Sequence, residues 1–538
     1  MKDGSDATPA AGKVTVTALT ATATAGEYTM TLKGTLAGTY TVTPLLNGSA
    51  IRDDLKADLT LTAGTTPDGA LSTFAASPVS VVADNSAAST LTLVVKDAFG
   101  NVIPGAVSGL TLTVKDSQNA TPDNTKVVMT ALTATGTAGE YTATLKGTLA
   151  GAYTVKPLFN GSPLGALSAT VTLTAGTTPD GTTSVFAATP DTITADGAAV
   201  SSLLLTAKDA NGNVISGITT GLGVAVTDSQ DATPDTTKVT VSSMTETGTP
   251  GLYRATLKGT LTGTYTVKPQ WNSGPLGSLS DTVTLTAGAP ASGQSTFAAA
   301  PDSVTADNTA TSTLTLTMKD TNGNAVTGIA SRLALEVKDS SDATPADGKV
   351  TVSTLSETGA TGVYTATLKG TLAGVYTVTP QLDSAPFGTL SDTVTLTTGA
   401  PDEGQSTLTV SKASITADNT DTSVLTLTLK DAGGNALSGL TDSLSFALRD
   451  ATDTAPADGD VVVDGIVETA TAGVYTAALK GIRAGVWTVT PQVNSTVVGN
   501  LHTTVTLTAG TTPDATQTTF GAVPASVVAD NVAMSTLT

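Results

Sequence analysis

The sequence predicts an all-β chain, a tandem array of immunoglobulin-like antiparallel β-sandwich domains forming an elongated rod. Three observations carry that reading. A domain-sized unit recurs along the 538 residues, apolar residues alternate with period two inside each unit, and turn-forming residues separate every alternating run.

The recurrence is plainest in a nineteen-residue string, "GVYTATLKGTLAGVYTVTP" at 362–380, with close copies at 26–44, 139–157, 251–269 and 473–491. Its first tyrosine falls at Tyr28, Tyr141, Tyr253, Tyr364 and Tyr475, a step of 111 to 113 residues. The "STF" of Ser72–Phe74, the "ADN" of Ala83–Asn85 and the "KDAFGN" of Lys96–Asn101 keep the same step. That step is long for a solenoid unit and matches an independent domain.

Each element of a unit follows from its pattern. Leu91, Leu93 and Val95 alternate with Thr90, Thr92 and Val94, Leu110, Leu112 and Val114 with Thr111 and Thr113, Tyr141, Ala143 and Leu145 with Thr142, Thr144 and Lys146, and Val171 and Leu173 with threonines. Alternation rich in Thr and Val gives half-buried strands. "DAFGN", "NATPDN", "GTAG" and "LFNGSPLG" supply the turns. Seven or eight short strands in about 110 residues suit a sandwich of immunoglobulin type. All nine tyrosines lie in the repeated string, and Trp487 takes the tenth place. Each is in phase with the buried side of its strand, which predicts core aromatics with hydroxyls bonded to backbone, not a ligand-stacking row.

These anchors divide the chain into an incomplete repeat at 1–68, complete repeats at 72–180, 184–291, 295–402 and 406–514, and the opening strands of another at 518–538. "TAGTTPD" closes repeats at Thr62–Asp68, Thr174–Asp180 and Thr508–Asp514. Linkers this short, containing Pro, are expected to restrict bending. The 518–538 segment repeats strands that 1–68 lacks, so weak docking of one copy's end on another copy's start is a further expectation, set against a chain otherwise read as monomeric.

Composition excludes several function classes. Lys and Arg number 25 against 45 Asp and Glu, a formal charge of −20, which disfavours nucleic acid and anionic membranes as partners. The absence of cysteine excludes disulfides and thiolate metal sites. No apolar run is long enough to span a bilayer, so no direct membrane insertion is expected, and "MKDGSDATP" has no apolar leader core. The single histidine, His502, replaces a serine, Ser391, of the preceding repeat and reads as a surface substitution. With no second His and no Cys, neither a nucleophilic triad nor a zinc site can be assembled. No catalytic, cofactor or metal residue is assigned, and the chain is read as non-enzymatic.

"KDANGN" (Asp209, Asn211, Asn213) and "KDTNGN" (Asp320, Asn322, Asn324) resemble the start of a calcium loop. Gly212 precedes the last Asn instead of following it, and Thr220 stands where an acidic residue would close the loop. Phe99 and Gly433 hold the middle position in the other copies, so a hairpin turn is the preferred reading. Interdomain calcium held by "ADN" and by linker acids such as Asp180 or Asp402 stays open as the lesser one. The Thr-x-Thr runs read as solvated strand faces, not an ice-binding ladder, and "NGS" at Asn47 and Asn160 as turns, not glycan acceptors.

"TSVLTLTLKD" at 422–431, "GVYTAALKG" at 473–481 and "AGVWTVTPQVN" at 484–494 resemble the bacterial immunoglobulin-like repeats of the invasin/intimin family of inverse autotransporter adhesins, the invasin domain 3 type above all. The likeness runs through every repeat. It implies an extracellular stalk at the bacterial surface, anchored through an outer-membrane barrel, with a distal tip that carries adhesion to host cells or other bacteria. No barrel, anchor or tip motif lies in these residues, so no adhesion residue is transferred. The first expectation for function is therefore a repeat spacer. The alternative is a multivalent binding module for host protein, glycan or neighbouring cells, which would need a repeated exposed apolar patch. Trp271, Phe159, Phe387 and Phe99 are the aromatic candidates, and they occupy different motifs.

Overall fold

The computed structural model describes residues 1–105 and 108–509, in two compact units. One takes in Met1–Ile193, Val200–Lys258 and Gly263–Thr284, the other Thr194–Ala199, Gly259–Thr262 and the residues from Leu285 onward. The described residues are strands and turns apart from two single 3₁₀ turns, Ala330–Arg332 and Thr441–Ser443. The 518–538 segment, and the expectation of docking that rests on it, lie outside the described residues.

The second repeat shows the plan. One sheet runs in the order Thr73–Ser77, Ser89–Val94, Glu140–Gly147 and Val127–Met129, with Thr133–Ala134 also on Glu140–Gly147. The other runs Ser80–Val82, Ala169–Thr174, Gly151–Phe159 and Leu110–Lys115, with Ser162–Pro163 on Gly151–Phe159. The opening segment thus crosses from one sheet to the other, and Pro78, with no N–H to give to a ladder, sits at the crossing. The crossing adds one short parallel pairing to the antiparallel sandwich expected from sequence. Ser80–Val82 pairs parallel with Ala169–Thr174, as do Ser303–Thr305 and Ser414–Ala417 with their partners. A strand that passes to the facing sheet without reversing meets its new neighbour in the same direction.

The core lies between the sheets. Leu91, Leu93, Leu145, Val155 and Val171 are fully buried, and their alternate neighbours Thr90, Thr170 and Thr172 are exposed. The glycine after "LK" in the repeated string is there for space: a Cβ on Gly481 would stand 2.7 Å from the Asp460 carbonyl oxygen. Asn160 and Gly161, at φ 50° and 81°, form the two-residue turn before Ser162–Pro163, and Asn47 and Gly48 repeat it.

Of the ten aromatics in the string, nine are buried, including Tyr141 and Trp487. Tyr28 is 61% exposed, which corrects the expectation that all ten are core residues. Among the described residues its strand, Tyr28–Thr29, pairs only with Thr20–Ala21. The same opening leaves an apolar cleft of about 630 Å³ lined by Val16, Leu19, Tyr28, Met30, Ile51 and Leu59 among others.

Candidate functional site: the repeat junction

The "KDxxGN" loops are hairpin turns, as the sequence predicts. Lys96 bridges Val102, Asp97 N–H donates to the Asn101 carbonyl at 2.9 Å, and Gly100 N–H to the Asp97 carbonyl at 3.0 Å. Their side chains do more than close the turn. Asp97, Asp209, Asp320 and Asp431 are buried, and each accepts amide hydrogens from two directions. Asp209 takes the N–H groups of Asn211 and Asn213 and the Asn213 side-chain amide from its own loop. From the linker before it, Gly176 N–H donates at 2.9 Å. Gly64, Gly288 and Gly399 do the same to Asp97, Asp320 and Asp431.

Burial raises the Asp97 carboxyl, but the Asn101 amide and the N–H groups of Gly64, Asn101 and Phe99 outweigh it and bring it down to about 2. Asp209 and Asp320 are lowered by the same contest between burial and donors. These oxygens, which a calcium loop would turn on an ion, are thus engaged by amides. Asp180 Oδ1 accepts from Thr182 and Thr183, and Asp402 Oδ1 from Gln405, so the linker acids close turns. Among the described residues no group of three or more acidic or His side chains is placed to hold a metal ion.

The second asparagine of the loop reaches the preceding repeat. In the first unit, Asn213 Nδ2 donates to the Thr148 carbonyl at 2.9 Å while its Oδ1 accepts the Ala150 N–H at 2.7 Å. Asn101 makes the same pair with Thr35 and Ala37. In the second unit, Asn324 pairs with Thr260 and Thr262, and Asn435 with Thr371 and Ala373. Each socket belongs to the turn "GTLAG" or "GTLTG" in the middle of the repeated string. The tyrosine just after the turn fixes it: Tyr153 OH donates to the Leu149 carbonyl at 2.9 Å, Tyr376 to Leu372 and Tyr40 to Leu36. Trp487 does so through its indole N–H to Arg483. The string therefore encodes two core strands and the socket for the next repeat.

The middle position of the loop distinguishes the junctions. Asn211 donates to the Ala83 carbonyl of "ADN" and Asn322 to the Ala195 carbonyl of the equivalent "ADG", both at 2.9 Å. Gly433 leaves room instead, since a Cβ there would collide with the Thr371 carbonyl oxygen. Phe99 is 62% exposed. Sequence reasoning recognised these loops and missed the contact. The signal was available: the last Asn recurs at 101, 213, 324 and 435, although a turn alone tolerates other residues there.

Of the other residues considered from sequence, His502 is exposed and donates Nδ1–H to the Asn500 carbonyl. Phe387 is buried in its repeat's core, and Phe159 and Trp271 are half-buried, so the four aromatic candidates form no exposed set. One apolar position is exposed in all five strings, at Leu36, Leu149, Leu261, Leu372 and Ile482 beside each socket. A second staple also escaped the sequence reading. Glu246 accepts the N–H groups of Gly217 and Gly251, and Glu357 and Glu468 repeat it, holding the loop after "KDxxGN" over the core tyrosine.

The family model described as invasin, domain 3, matches residues 68–176, 180–288, 291–399 and 402–510. The inverse autotransporter adhesin YeeJ of Escherichia coli K12 is 29% identical over 349 residues, 64% of this chain, and the chain spans 13% of that protein's length. Among solved structures, the Escherichia coli adhesin FdeC is 28% identical, with 62% of this chain and 99% of that one covered and a TM-score of 0.46. Invasin, titled a bacterial integrin-binding protein, is 20% identical, with 81% and 79% covered and a TM-score of 0.42.

Proposed function

The chain belongs to the invasin domain 3 family, a family of adhesin-type, non-enzymatic repeats, and from that premise we propose that its repeats are the spacer of a bacterial surface adhesin. The whole protein would stand at the cell surface on an outer-membrane anchor and meet host cells or other bacteria through a tip carried elsewhere in its length. The observation that supports a spacer is the asparagine socket, present at each of the four junctions among the described residues. A pair of amide bonds to a turn already fixed by an aromatic resists sliding of one repeat on the next. Its donors and acceptors are all protein groups, so the proposal includes junctions that keep their geometry without calcium.

Small-angle X-ray scattering of the full chain, with calcium and with chelator, tests this. A long maximum dimension in both conditions is expected, with a loss of extension in an Asn213→Ala, Asn435→Ala double variant. A compact particle overturns the spacer, and extension in calcium alone overturns its metal independence.

The exposed Leu36, Leu149, Leu261, Leu372 and Ile482 favour the second reading, a multivalent module, because they repeat. Each is a single side chain, and isolated exposed leucines are ordinary on protein surfaces. Under the module reading, Leu149→Ser with Leu372→Ser lowers adhesion of cells displaying the array. Under the spacer reading it leaves adhesion unchanged.

A further inference from the structure

The third repeat differs from its neighbours along one edge. Leu222–Thr227 is the outer strand of its sheet, paired on one side with Gly263–Trp271 and with no strand on the other among the described residues. Its sequence, LGVAVT, carries no charge. The equivalent edges do: Lys115 in LTLTVK, Glu336 and Lys338 in LALEVKD, and Arg449 in LSFALR. Charge on an edge strand is the usual guard against pairing with another chain. All six residues of Leu222–Thr227 are half-buried, so the edge is neither covered nor fully solvated.

Behind this edge lies an apolar cleft of about 420 Å³, between Leu222–Thr227 and Val239–Val241, roofed by Thr233 and Pro234. It has a steric cause. Val224 stands where the other repeats place Leu112, Leu335 and Phe446, each of which packs on its core. Val241 stands where the second repeat has Met129 but the fourth and fifth have Val352 and Val463, so the side-chain volume that the third repeat alone lacks is on the side of Val224. The Thr227 hydroxyl within it is buried and has no hydrogen-bond partner.

We propose that Leu222–Thr227 is a self-association edge, pairing antiparallel with the same strand of a second copy about a two-fold axis through Ala225. Paired residues of an antiparallel ladder share a face. Val224 then meets the second copy's Val226 over the cleft, Gly223 meets Thr227, and the small Ala225 meets itself. The second copy's valines supply the volume that the third repeat's mouth lacks. The net charge of −20 opposes association of two copies, so pairing needs an edge strand free of charge, and among the four complete repeats this one alone is. The same axis in the fourth repeat would set Glu336 against Glu336, which is destabilising. The inference departs from the monomer expected from sequence, and it stands whether or not the array is a spacer.

The native chain has no cysteine, so one introduced thiol reads the geometry directly. Under mild oxidation the full chain carrying Ala225→Cys is expected to form about tenfold more disulfide dimer than one carrying Thr113→Cys at the equivalent site of the second repeat. Equal yields overturn the proposal. Sedimentation equilibrium gives the independent reading: the wild-type mass rises toward that of a dimer with concentration, and Ala225→Lys, on the outward face, stays monomeric. A wild-type chain that stays monomeric throughout overturns the proposal and leaves the edge to an extended segment of another protein.

Discussion

The first and second repeats write nearly the same string, GEYTMTLKGTLAGTYTVTP and GEYTATLKGTLAGAYTVKP, and bury it differently. Tyr141 is 4% exposed and Tyr28 is 61% exposed, yet the later aromatics, Tyr40 and Tyr153, are equally buried. The string is therefore two pieces with different dependencies. Its second half, Gly38–Val42, lies between Lys2–Asp3 and Ala57–Leu61, and Tyr40 fixes its own turn through Leu36. Its first half needs the strand that Ser89–Val94 provides in the second repeat, where Leu93 stands opposite Tyr141. The same local sequence makes a strand in both places, and only one of them has a core.

The largest expected effect follows. Tyr141→Ala should cost the second repeat about 3–5 kcal/mol, as truncation of large buried aromatics does. Tyr28→Ala should stay within about 0.5 kcal/mol, as at an exposed site. Hydrogen exchange resolved by repeat measures both in one chain. Equal losses at the two sites would mean that Tyr28 is packed in solution, and the comparison would fail.

The junction joining these two repeats supplies the next. Asp97 ionises at about 2 in the folded chain, below its ordinary 3.8. A depressed carboxyl stabilises above its unfolded value and loses that contribution as pH falls through the folded one. About 2 kcal/mol should thus disappear between roughly pH 4 and pH 2. Protection of the Gly64 amide, which donates to Asp97, should fall over that window, ahead of amides in Gly38–Val42. Simultaneous loss would place the weakness in the first repeat itself and not in its junction.

Asn213→Ala carries the comparison to the next junction. It removes the bonds to Thr148 and Ala150 and should cost about 1–2 kcal/mol, seen as faster exchange at the Ala150 amide. Tyr153 should keep its bond to Leu149, because that contact lies within its own repeat. A second repeat loosened as a whole would show that the socket supports the fold and not only the junction.

Sandwich, strand phase and turn positions were all legible in the sequence, because alternation and glycine placement are local properties. The parallel pairing of Ser80–Val82 was not, since it depends on where a strand lands after crossing sheets. Nor was the exposure of Tyr28, which is set by a strand distant in sequence. Asp209 and Asn213 stand out in the sequence for a likeness to the start of a calcium loop, with a hairpin turn as the preferred reading, and the structure shows that turn. Their partners, Gly176 in the linker and Thr148 in the preceding repeat, lie 33 and 65 residues away. A pattern inside one loop says that polar groups are engaged without saying by what.

The smallest effect concerns a difference within the complete repeats. Glu246, Glu357 and Glu468 hold the loop after "KDxxGN", and the second repeat has Ala134 at that position, as the first has Ala21. Amide donors pull Glu246 below the ordinary carboxylate range, Gly251 N–H first and Gly217 N–H second, which marks these bonds as charge-assisted. Ala134→Glu places a carboxylate within the equivalent loop, where Gly139 and Gly105 correspond to Gly251 and Gly217. Because the site is at the surface, the gain should be about 0.5–1 kcal/mol. It should appear as slower exchange at the Gly139 amide in the second repeat, with the first repeat unchanged. Ala21→Glu, made for contrast, should gain nothing, because Tyr28 beside it has no core for the staple to close. An equal gain at Ala21 would show that the staple acts on its own turn alone, independent of the opening strands that separate the two repeats.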